Sequence, residues 1–386
     1  MSKKRLFIST GDVSADQHAA NLVRRLQAEN TELEIQAIGG VALKQTNIPL
    51  LATHERMGVV GMGLFTAAPY HWWLGQKIRA HLREWKPDVV MLVDYGEFHL
   101  WLAGLLKEDG HKVIYFIPPQ IWASRKNRIH KIKANIDHVF CIFPFEKALY
   151  DAEGIPVTYV GHPLVGTLPP VGDRQALAEA HGINSDFLWV GLLPGSRRME
   201  VQHLLKPMIG TLGKLQQQLQ KPIEGLLALA PSFSKEKMEE MMAPWVLEYE
   251  VSVHVIRQKT HQIESTVDLA LVASGTATLE TALYGTPQVL AYKAPWFTAE
   301  VARRVCYLPC LGLPNILCDV HNPIVPECLQ ESANADVMTQ AALPLLDPNS
   351  PETRHQQWGY QKIQQELGHL AAIEEMARIL KTQWLS

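Results

Sequence analysis

Residues 88–99 read DVVMLVDYGEFH. Five consecutive apolar residues, from Val89 to Val93, are followed at once by a turn and by side chains that can carry protons. A continuous apolar run is typical of a parallel strand that is buried on both faces, whereas a half-exposed strand alternates apolar and polar residues. The stretch therefore predicts a buried parallel strand that ends in a polar loop.

The same pattern recurs along the chain. Amphipathic segments such as 14–30 (SADQHAANLVRRLQAEN) and 276–285 (TATLETALYG) are typical of helices, and they separate short apolar runs. Further runs of this kind lie at 5–10, 34–40, 112–119, 138–144 and 157–163, and again at 188–196, 225–232, 251–257, 269–275 and 287–293. The repetition predicts an α/β protein with two Rossmann-like, doubly wound domains.

A segment rich in Pro and Gly at 163–173 (PLVGTLPPVGD) marks the boundary between the two halves. We expect an N-terminal domain over 1–170, a C-terminal domain over 171–352, and helices over 353–386 that pack back on the first domain. Ligands of open α/β sheets bind at the carboxyl ends of the strands. The sequence therefore predicts a cleft between the two domains.

Composition narrows the class of protein. With 47% hydrophobic residues, a net charge of −3 and 386 residues, the chain suits two packed domains and is not held to nucleic acid by bulk charge. No apolar run reaches the roughly 18–20 residues of a spanning helix, and the N-terminus lacks the pattern of a signal peptide. Five cysteines without a CxxC pair favour reduced thiols in a cytoplasmic protein, with neither a disulfide framework nor a zinc site.

Two loops of the second half follow apolar runs and open helices. In 193–197 (LPGSR), Gly195 permits a tight turn, Ser196 and the loop amides can face an anionic oxygen, and Arg197 adds donors for a phosphate. In 273–280 (ASGTATLE), hydroxyls and a helix N-terminus favour a pyrophosphate, and a carboxylate one turn later can accept ribose hydroxyls. The candidates in this second loop are Ser274, Gly275, Thr276 and Glu280. Each loop alone is also compatible with an ordinary turn, but together they indicate a nucleotide site.

Candidate proton carriers lie in the first half. Asp94, Glu97 and His99 follow the strand at 89–93, and a second loop at 10–16 (TGDVSAD) offers Asp12 and Asp16. The alternatives are a polar loop without a partner, and helix capping by the first of these two aspartates or by Ser14.

Two other stretches suggest contact with anions or lipid. The run 124–133 (SRKNRIHKIK) is strongly basic, and it is either a solvated helix face or an anionic-lipid surface. The segment 57–65 (MGVVGMGLF), followed by Tyr70, Trp72 and Trp73, is either a buried helix or a surface that contacts membrane and acyl chains.

On these motifs the chain resembles the lipid-A-disaccharide synthase family, essentially from end to end. The blocks in order are GDVSAD (11–16), MGVVGMG (57–63), KPDVVMLVDYGEF (86–98), PPQIWASRKNRIHKI (118–132), FPFEKALYDAEGIPVTYVGHPL (143–164), LLPGSR (192–197), LALVASGTATLE (269–280) and LPNIL (313–317). The resemblance implies a GT-B type fold whose C-terminal helix crosses back. It implies an inverting glycosyltransferase that moves 2,3-diacylglucosamine from its UDP ester to 2,3-diacylglucosamine 1-phosphate and releases UDP. It further implies no metal or other cofactor, a place on the cytoplasmic side of the inner membrane, and a possible homodimer.

The resemblance also assigns residues. Arg197, Glu280 and Asn315 match positions that the family uses for UDP, and Gln330 matches a polar position nearby. Glu97 takes the place of an aspartate in the family's D-A-P-D-F-N block, and it is the expected base, with Asp94 and Asp16 as further catalytic candidates.

Departures from the family pattern leave alternatives open. The chain has Asp12 and Ala15 where the family usually reads G-E-x-S-G-D, and it has Glu97 and His99 in place of Asp and Asn. The alternatives are a GT-B glycosyltransferase with another acceptor, an enzyme like UDP-N-acetylglucosamine 2-epimerase, and a non-catalytic sensor of UDP-sugars.

Overall fold

The computed structural model describes residues 3–29, 32–53, 64–229, 233–294, 307–368 and 370–385. The chain forms two compact units, one of residues 1–167 with 367–386 and one of residues 168–366. Of the segment 57–65, expected to be either a buried helix or a membrane and acyl surface, residues 57–63 lie outside the described residues.

The first unit is built around a parallel sheet of seven strands in the order β3-β2-β1-β4-β5-β6-β7. Its elements are β1 (Arg5–Thr10), α1 (Val13–Glu29), β2 (Glu34–Gly39), α2 (Val41–Lys44), β3 (Leu50–Thr53), α3 (Leu64–Trp85), β4 (Val89–Val93), α4 (Gly96–Glu108), β5 (Val113–Phe116), α5 (Arg128–Asn135), β6 (His138–Cys141), α6 (Pro144–Ala152) and β7 (Val157–Tyr159). All five residues of β4 are buried, as the apolar run 89–93 predicts. The strand order reverses between β1 and β4, which pair directly, with Thr10 opposite Val93.

The second unit has a parallel sheet of six strands in the order β10-β9-β8-β11-β12-β13. Its elements are α7 (Arg174–His181), β8 (Leu188–Leu193), α8 (Arg198–Leu219), β9 (Ile223–Leu229), α9 (Lys235–Tyr249), β10 (Ser252–Arg257), α10 (Thr260–Thr266), β11 (Leu269–Ala273), α11 (Thr276–Tyr284), β12 (Gln288–Tyr292), α12 (Leu313–Cys318), β13 (Glu327–Leu329), α13 (Ala335–Ala342) and α14 (Pro351–Leu367). The order reverses between β8 and β11, which pair with Leu193 opposite Val272. The two doubly wound sheets confirm the predicted fold class.

The C-terminal helices divide between the units. The buried side chain of Gln356 accepts a hydrogen bond from the Gln288 amide and donates to the Gln288 and Ile324 carbonyls, so α14 is fixed to β12. The last helix, α15 (Ala372–Ile379), packs on α1 of the first unit. Of the segment 353–386, which the sequence assigned to the first unit, residues 353–366 therefore belong to the second.

Among the described helices, none combines the length and the apolar character that a membrane crossing requires.

Candidate functional site

The first group of candidate residues surrounds the carboxyl end of β4. Asp94 and Tyr95 both adopt left-handed backbone conformations, with φ of 51° and 59°. The Tyr95 amide donates a hydrogen bond of 2.7 Å to Oδ1 of Asp94. A Cβ atom on Gly11, which follows β1, would lie 2.0 Å from the Tyr95 ring, so this position requires glycine. The loops after the two central strands are thus packed together, as the strand order demands.

His99 lies beneath this turn and is fully buried. Its Nδ1 lies 2.6 Å from the Asp94 carbonyl oxygen, and its Nε2 lies 2.9 Å from Oγ of Ser9. Burial lowers the pKa of His99 to about 4, although the bond to the carbonyl opposes this shift. The ring is therefore neutral at pH 7 and serves the backbone, so it is poorly placed to carry protons to a substrate.

Asp94 and Glu97 differ in their electrostatic surroundings. Burial, together with the nearby charge of Asp12, raises the pKa of Asp94 to about 6. Burial also opposes ionisation of Glu97, but Arg128 and Arg125 outweigh it and hold the pKa of Glu97 below its usual value. Nε of Arg128 donates to Oε1 of Glu97 at 3.0 Å. Of these two carboxylates, Asp94 is thus the one whose pKa lies closer to neutral pH.

Asp16, the third catalytic candidate, hydrogen-bonds to the backbone. Its buried carboxylate accepts hydrogen bonds from the backbone amides of Gly40 at 2.6 Å and Ala42 at 2.8 Å, and from Leu43 at 3.4 Å. These amides lie at the N-terminus of α2, whose N-cap residue, Gly40, has no side chain that could cap it. The carboxylate of Asp12 likewise caps α1, since it accepts from the Ala15 amide at 2.7 Å.

The first loop of the second unit follows β8. Gly195 has a φ of 100°, and a Cβ there would lie 2.4 Å from Oε2 of Glu200. The Glu200 carboxylate accepts from the Arg197 amide at 3.3 Å and from Nη1 of Arg197 at 3.0 Å, which caps the start of α8. The Arg197 side chain is 83% exposed, so its guanidinium is available to an anion from solvent. Ser196 lies in the same exposed turn.

The second loop follows β11, the strand beside β8. Gly275 precedes α11 and has no side chain with which to cap it, and among the described residues no atom beyond its chain neighbours lies within 4 Å of a Cβ built there. Gly275 and Thr276 are exposed, so the N-terminus of α11, with its partial positive charge, is accessible to an anionic oxygen from solvent. Ser274 continues the strand pairing, because its amide donates to the Ala291 carbonyl. The structure thus brings both predicted loops to adjacent strand ends of one sheet.

Glu280 lies one turn along α11 beside two other titratable groups. One ligand atom each from His261, Glu264 and Glu280 lies within 4.8 Å of the others, and of the described residues these form the group that could hold a metal ion. Glu264 is fully buried, and its carboxylate lies 3.4 Å from Nδ1 of His261. Burial, and then the charge of Glu264, raises the pKa of Glu280 to about 7.

Asn315 and Gln330 are positioned by the backbone around β13. Asn315 is fully buried, donates to the Val325 carbonyl at 2.9 Å and to Glu327 at 2.7 Å, and accepts from the Val325 amide. Its amide group is thus occupied in joining α12 to β13. Gln330 has a φ of 54°, and its Oε1 accepts from the Ala294 amide at 3.4 Å.

The sequence alone did not identify the buried residues that contact the candidate side chains and hold them in place. Ser9 and Tyr115 belong to the strands on either side of β4, and Glu264 belongs to α10. The available signal was a polar atom near the end of an otherwise apolar run, as in 5–10 and 112–119. That signal does not name a partner, because each partner is remote in the chain.

Comparison with known proteins places these sites in context. A family model described as lipid-A-disaccharide synthetase matches residues 6–380. A lipid-A-disaccharide synthase from Syntrophus aciditrophicus is 33% identical over 378 residues, covering 96% of this chain and 93% of the relative. Another from Geobacter metallireducens is 32% identical over 383 residues, covering 98% and 96%.

Solved structures give the same architecture at lower identity. A putative UDP-N-acetylglucosamine 2-epimerase from Listeria monocytogenes is 14% identical with a TM-score of 0.67, covering 99% of this chain and 96% of that one. MurG from Acinetobacter baumannii is 14% identical with a TM-score of 0.60, covering 98% and 100%. These likenesses support the two-domain α/β fold of the GT-B type.

Replacing Asp16 by Ala is expected to destabilise the first unit without changing the affinity for UDP. Without the carboxylate, the backbone amides at the start of α2 lose their hydrogen-bond acceptor. This loss should lower the free energy of unfolding by about 2–3 kcal/mol and the unfolding midpoint by several degrees. Thermal unfolding and UDP titration measure the two effects. Asp151→Ala, which removes an exposed ion pair with Lys147, is the control. Normal stability with lost turnover would instead make Asp16 catalytic.

Proposed function

The chain belongs to the lipid-A-disaccharide synthetase family, and from this membership we propose how its two sites divide the work of glycosyl transfer. The chain is a glycosyltransferase of lipid A biosynthesis that uses a UDP-sugar donor and a phosphorylated glucosamine acceptor. In the proposed reaction, the acceptor hydroxyl oxygen bonds to the anomeric carbon of 2,3-diacylglucosamine as the bond to UDP breaks. UDP leaves with the bonding electrons, and a carboxylate takes the hydroxyl proton.

The observation that carries the donor assignment is that two loops with exposed hydrogen-bond donors follow adjacent strands, β8 and β11. The exposed guanidinium of Arg197 and the solvent-accessible N-terminus of α11 suit the two phosphates of UDP and the negative charge that grows as UDP leaves. Glu280 accepts the ribose hydroxyls in this proposal. In this proposal Asn315 acts indirectly, by joining α12 to the chain before and within β13, because its side-chain amide is already hydrogen-bonded to Val325 and Glu327. The family match does not favour the epimerase or sensor alternatives.

Purified protein given UDP-2,3-diacylglucosamine and 2,3-diacylglucosamine 1-phosphate is expected to form disaccharide and UDP, both measured by mass spectrometry. UDP release without disaccharide would contradict the transfer.

Arg197→Ala should weaken UDP binding by about ten- to a hundredfold, because a charge-assisted hydrogen bond to phosphate is lost. Arg257→Ala is the matched control, since this exposed arginine ends β10, two strands away from β8. Equal losses of UDP affinity in both variants would contradict the role of Arg197.

For the base we propose Asp94, with Glu97 as the competing carboxylate. A general base works best when its pKa lies near the operating pH, and the pKa of Asp94 is raised to about 6. Two arginines bind Glu97 and lower its pKa, so its proton affinity is weaker. Glu97 then serves to hold Arg125 and Arg128 beside the acceptor.

The base assignment predicts a pH profile. Turnover efficiency should fall about tenfold for each pH unit below about 6, because protonated Asp94 cannot accept the hydroxyl proton. Asp94→Asn should reduce kcat by about a hundredfold or more and remove this acidic limb. Glu97→Gln should reduce kcat by no more than about tenfold and should retain the acidic limb. An inactive Glu97→Gln variant together with an active Asp94→Asn variant would assign the role of base to Glu97.

Two further properties belong to the same proposal: contact with the cytoplasmic side of the inner membrane, and a homodimer. For the dimer the support is the family resemblance, and light scattering of the purified chain tests it.

The support for membrane contact comes from exposed side chains of the first unit. Trp72 and Trp73 on α3 are 60% and 51% exposed, although large aromatic side chains usually avoid water. Helix α3 packs against α4 and α4 against α5, whose Lys131 and Lys133 are exposed and suit anionic lipid.

The membrane proposal predicts binding to vesicles that contain anionic lipid. The double variant Trp72→Ser with Trp73→Ser should sediment with them about tenfold less strongly, because its interfacial aromatics are gone. Trp358→Ser is the matched control, since this tryptophan of the second unit is 52% exposed. Wild-type sedimentation of the double variant would overturn this surface as the membrane contact.

A further inference from the structure

The main-chain carbonyl of Asp94 is held by two buried side chains. The Tyr115 hydroxyl donates to it at 2.8 Å, and His99 Nδ1 lies at 2.6 Å. A carbonyl oxygen has two lone pairs, so this pair of bonds uses both. Tyr115 and His99 are each fully buried, which fixes their side chains against the core.

The other end of the same peptide group controls the Asp94 carboxylate. The Tyr95 amide, in the plane of the Asp94 carbonyl, donates to Oδ1 at 2.7 Å. Because a peptide group is planar, fixing the carbonyl also fixes the direction of this N–H. Asp94 has a φ of 51°, which costs free energy for a residue with a side chain unless surrounding contacts maintain it.

The tautomer of His99 follows from its partners. The Asp94 carbonyl can only accept, so Nδ1 carries the proton and the neutral ring presents Nε2 as an acceptor to the Ser9 hydroxyl at 2.9 Å. Ser9 lies on β1 and Tyr115 on β5, the two strands that flank β4. The peptide after β4 is therefore held from both neighbouring strands.

We propose that Tyr115, and His99 oriented by Ser9, are positioning residues that aim the Asp94 carboxylate by locking its own peptide group. This inference rests on the proposed role of Asp94 as base. None of the three side chains needs to touch the substrate, since they act through the backbone.

Tyr115→Phe tests the inference by removing one hydroxyl. The expected result is a fall in kcat of about tenfold with an unchanged KM for the donor and a displaced acidic limb of the pH profile. The physical reason is that a carboxylate with less restricted orientation is less often aligned with the attacking hydroxyl. Tyr150→Phe is the matched control. Tyr150 is fully buried in the same core, and its hydroxyl makes no hydrogen bond with the described residues. This control should keep both kcat and the limb.

Ser9→Ala is the second variant, should Tyr115→Phe fold poorly. This variant keeps the His99 ring but removes the hydroxyl that fixes its orientation. We therefore expect the acidic limb of the pH profile to be displaced in the same direction as in Tyr115→Phe, but by less. Wild-type kcat and pH limb in Tyr115→Phe and Ser9→Ala, beside an inactive Asp94→Asn, would overturn the inference and leave the base in place. An equal fall in Tyr150→Phe would overturn it as a general effect of core substitution. Full activity in Asp94→Asn would instead remove the base assignment itself.

Discussion

The direct pairing of β1 with β4, and of β8 with β11, is the constraint on which both candidate sites depend. At these pairs the strand order reverses, so the following chain segments leave in opposite directions and open a crevice at the carboxyl ends. Asp94 stands at the first of these points and Arg197 with Gly275 at the second. Moving either loop to another strand would separate it from its neighbour, whatever its sequence.

The electrostatic character of each site follows from what is buried beside it. In the first unit, Asp94 loses hydration and lies near Asp12, so its proton is held more tightly than in water. Glu97 is only three residues further along the chain, yet Arg128 at the start of α5 and Arg125 just before it favour the ionised form of Glu97. In the second unit, Glu280 shares a partly buried space with Glu264, which makes its charge costly. Carboxylates of one chemical type thus acquire different proton affinities from their surroundings.

Two of the departures that the family resemblance indicates, His99 and Glu97, have partners that lie elsewhere in the chain. His99, in place of asparagine, reaches Ser9, and Glu97, in place of aspartate, reaches Arg128. Tyr95 follows Asp94 and hydrogen-bonds through its hydroxyl to Nε2 of His71 at 2.7 Å. The altered block is therefore embedded in its surroundings, and its substitutions do not leave buried polar groups stranded.

The sequence by itself determined the fold class, the strand ends that carry polar loops, and the family. These are local properties: a buried run such as 89–93, a turn such as that at Gly195, and the order of motifs are all readable in contiguous residues. Only the tertiary structure decided what each polar side chain does. Asp16 caps α2 through amides 24 or more positions away, Asn315 is consumed by Val325 and Glu327, and α14 is retained by β12 through Gln356. A hydrogen bond or desolvation cost depends on atoms brought together from distant positions, and spacing along the chain does not specify them.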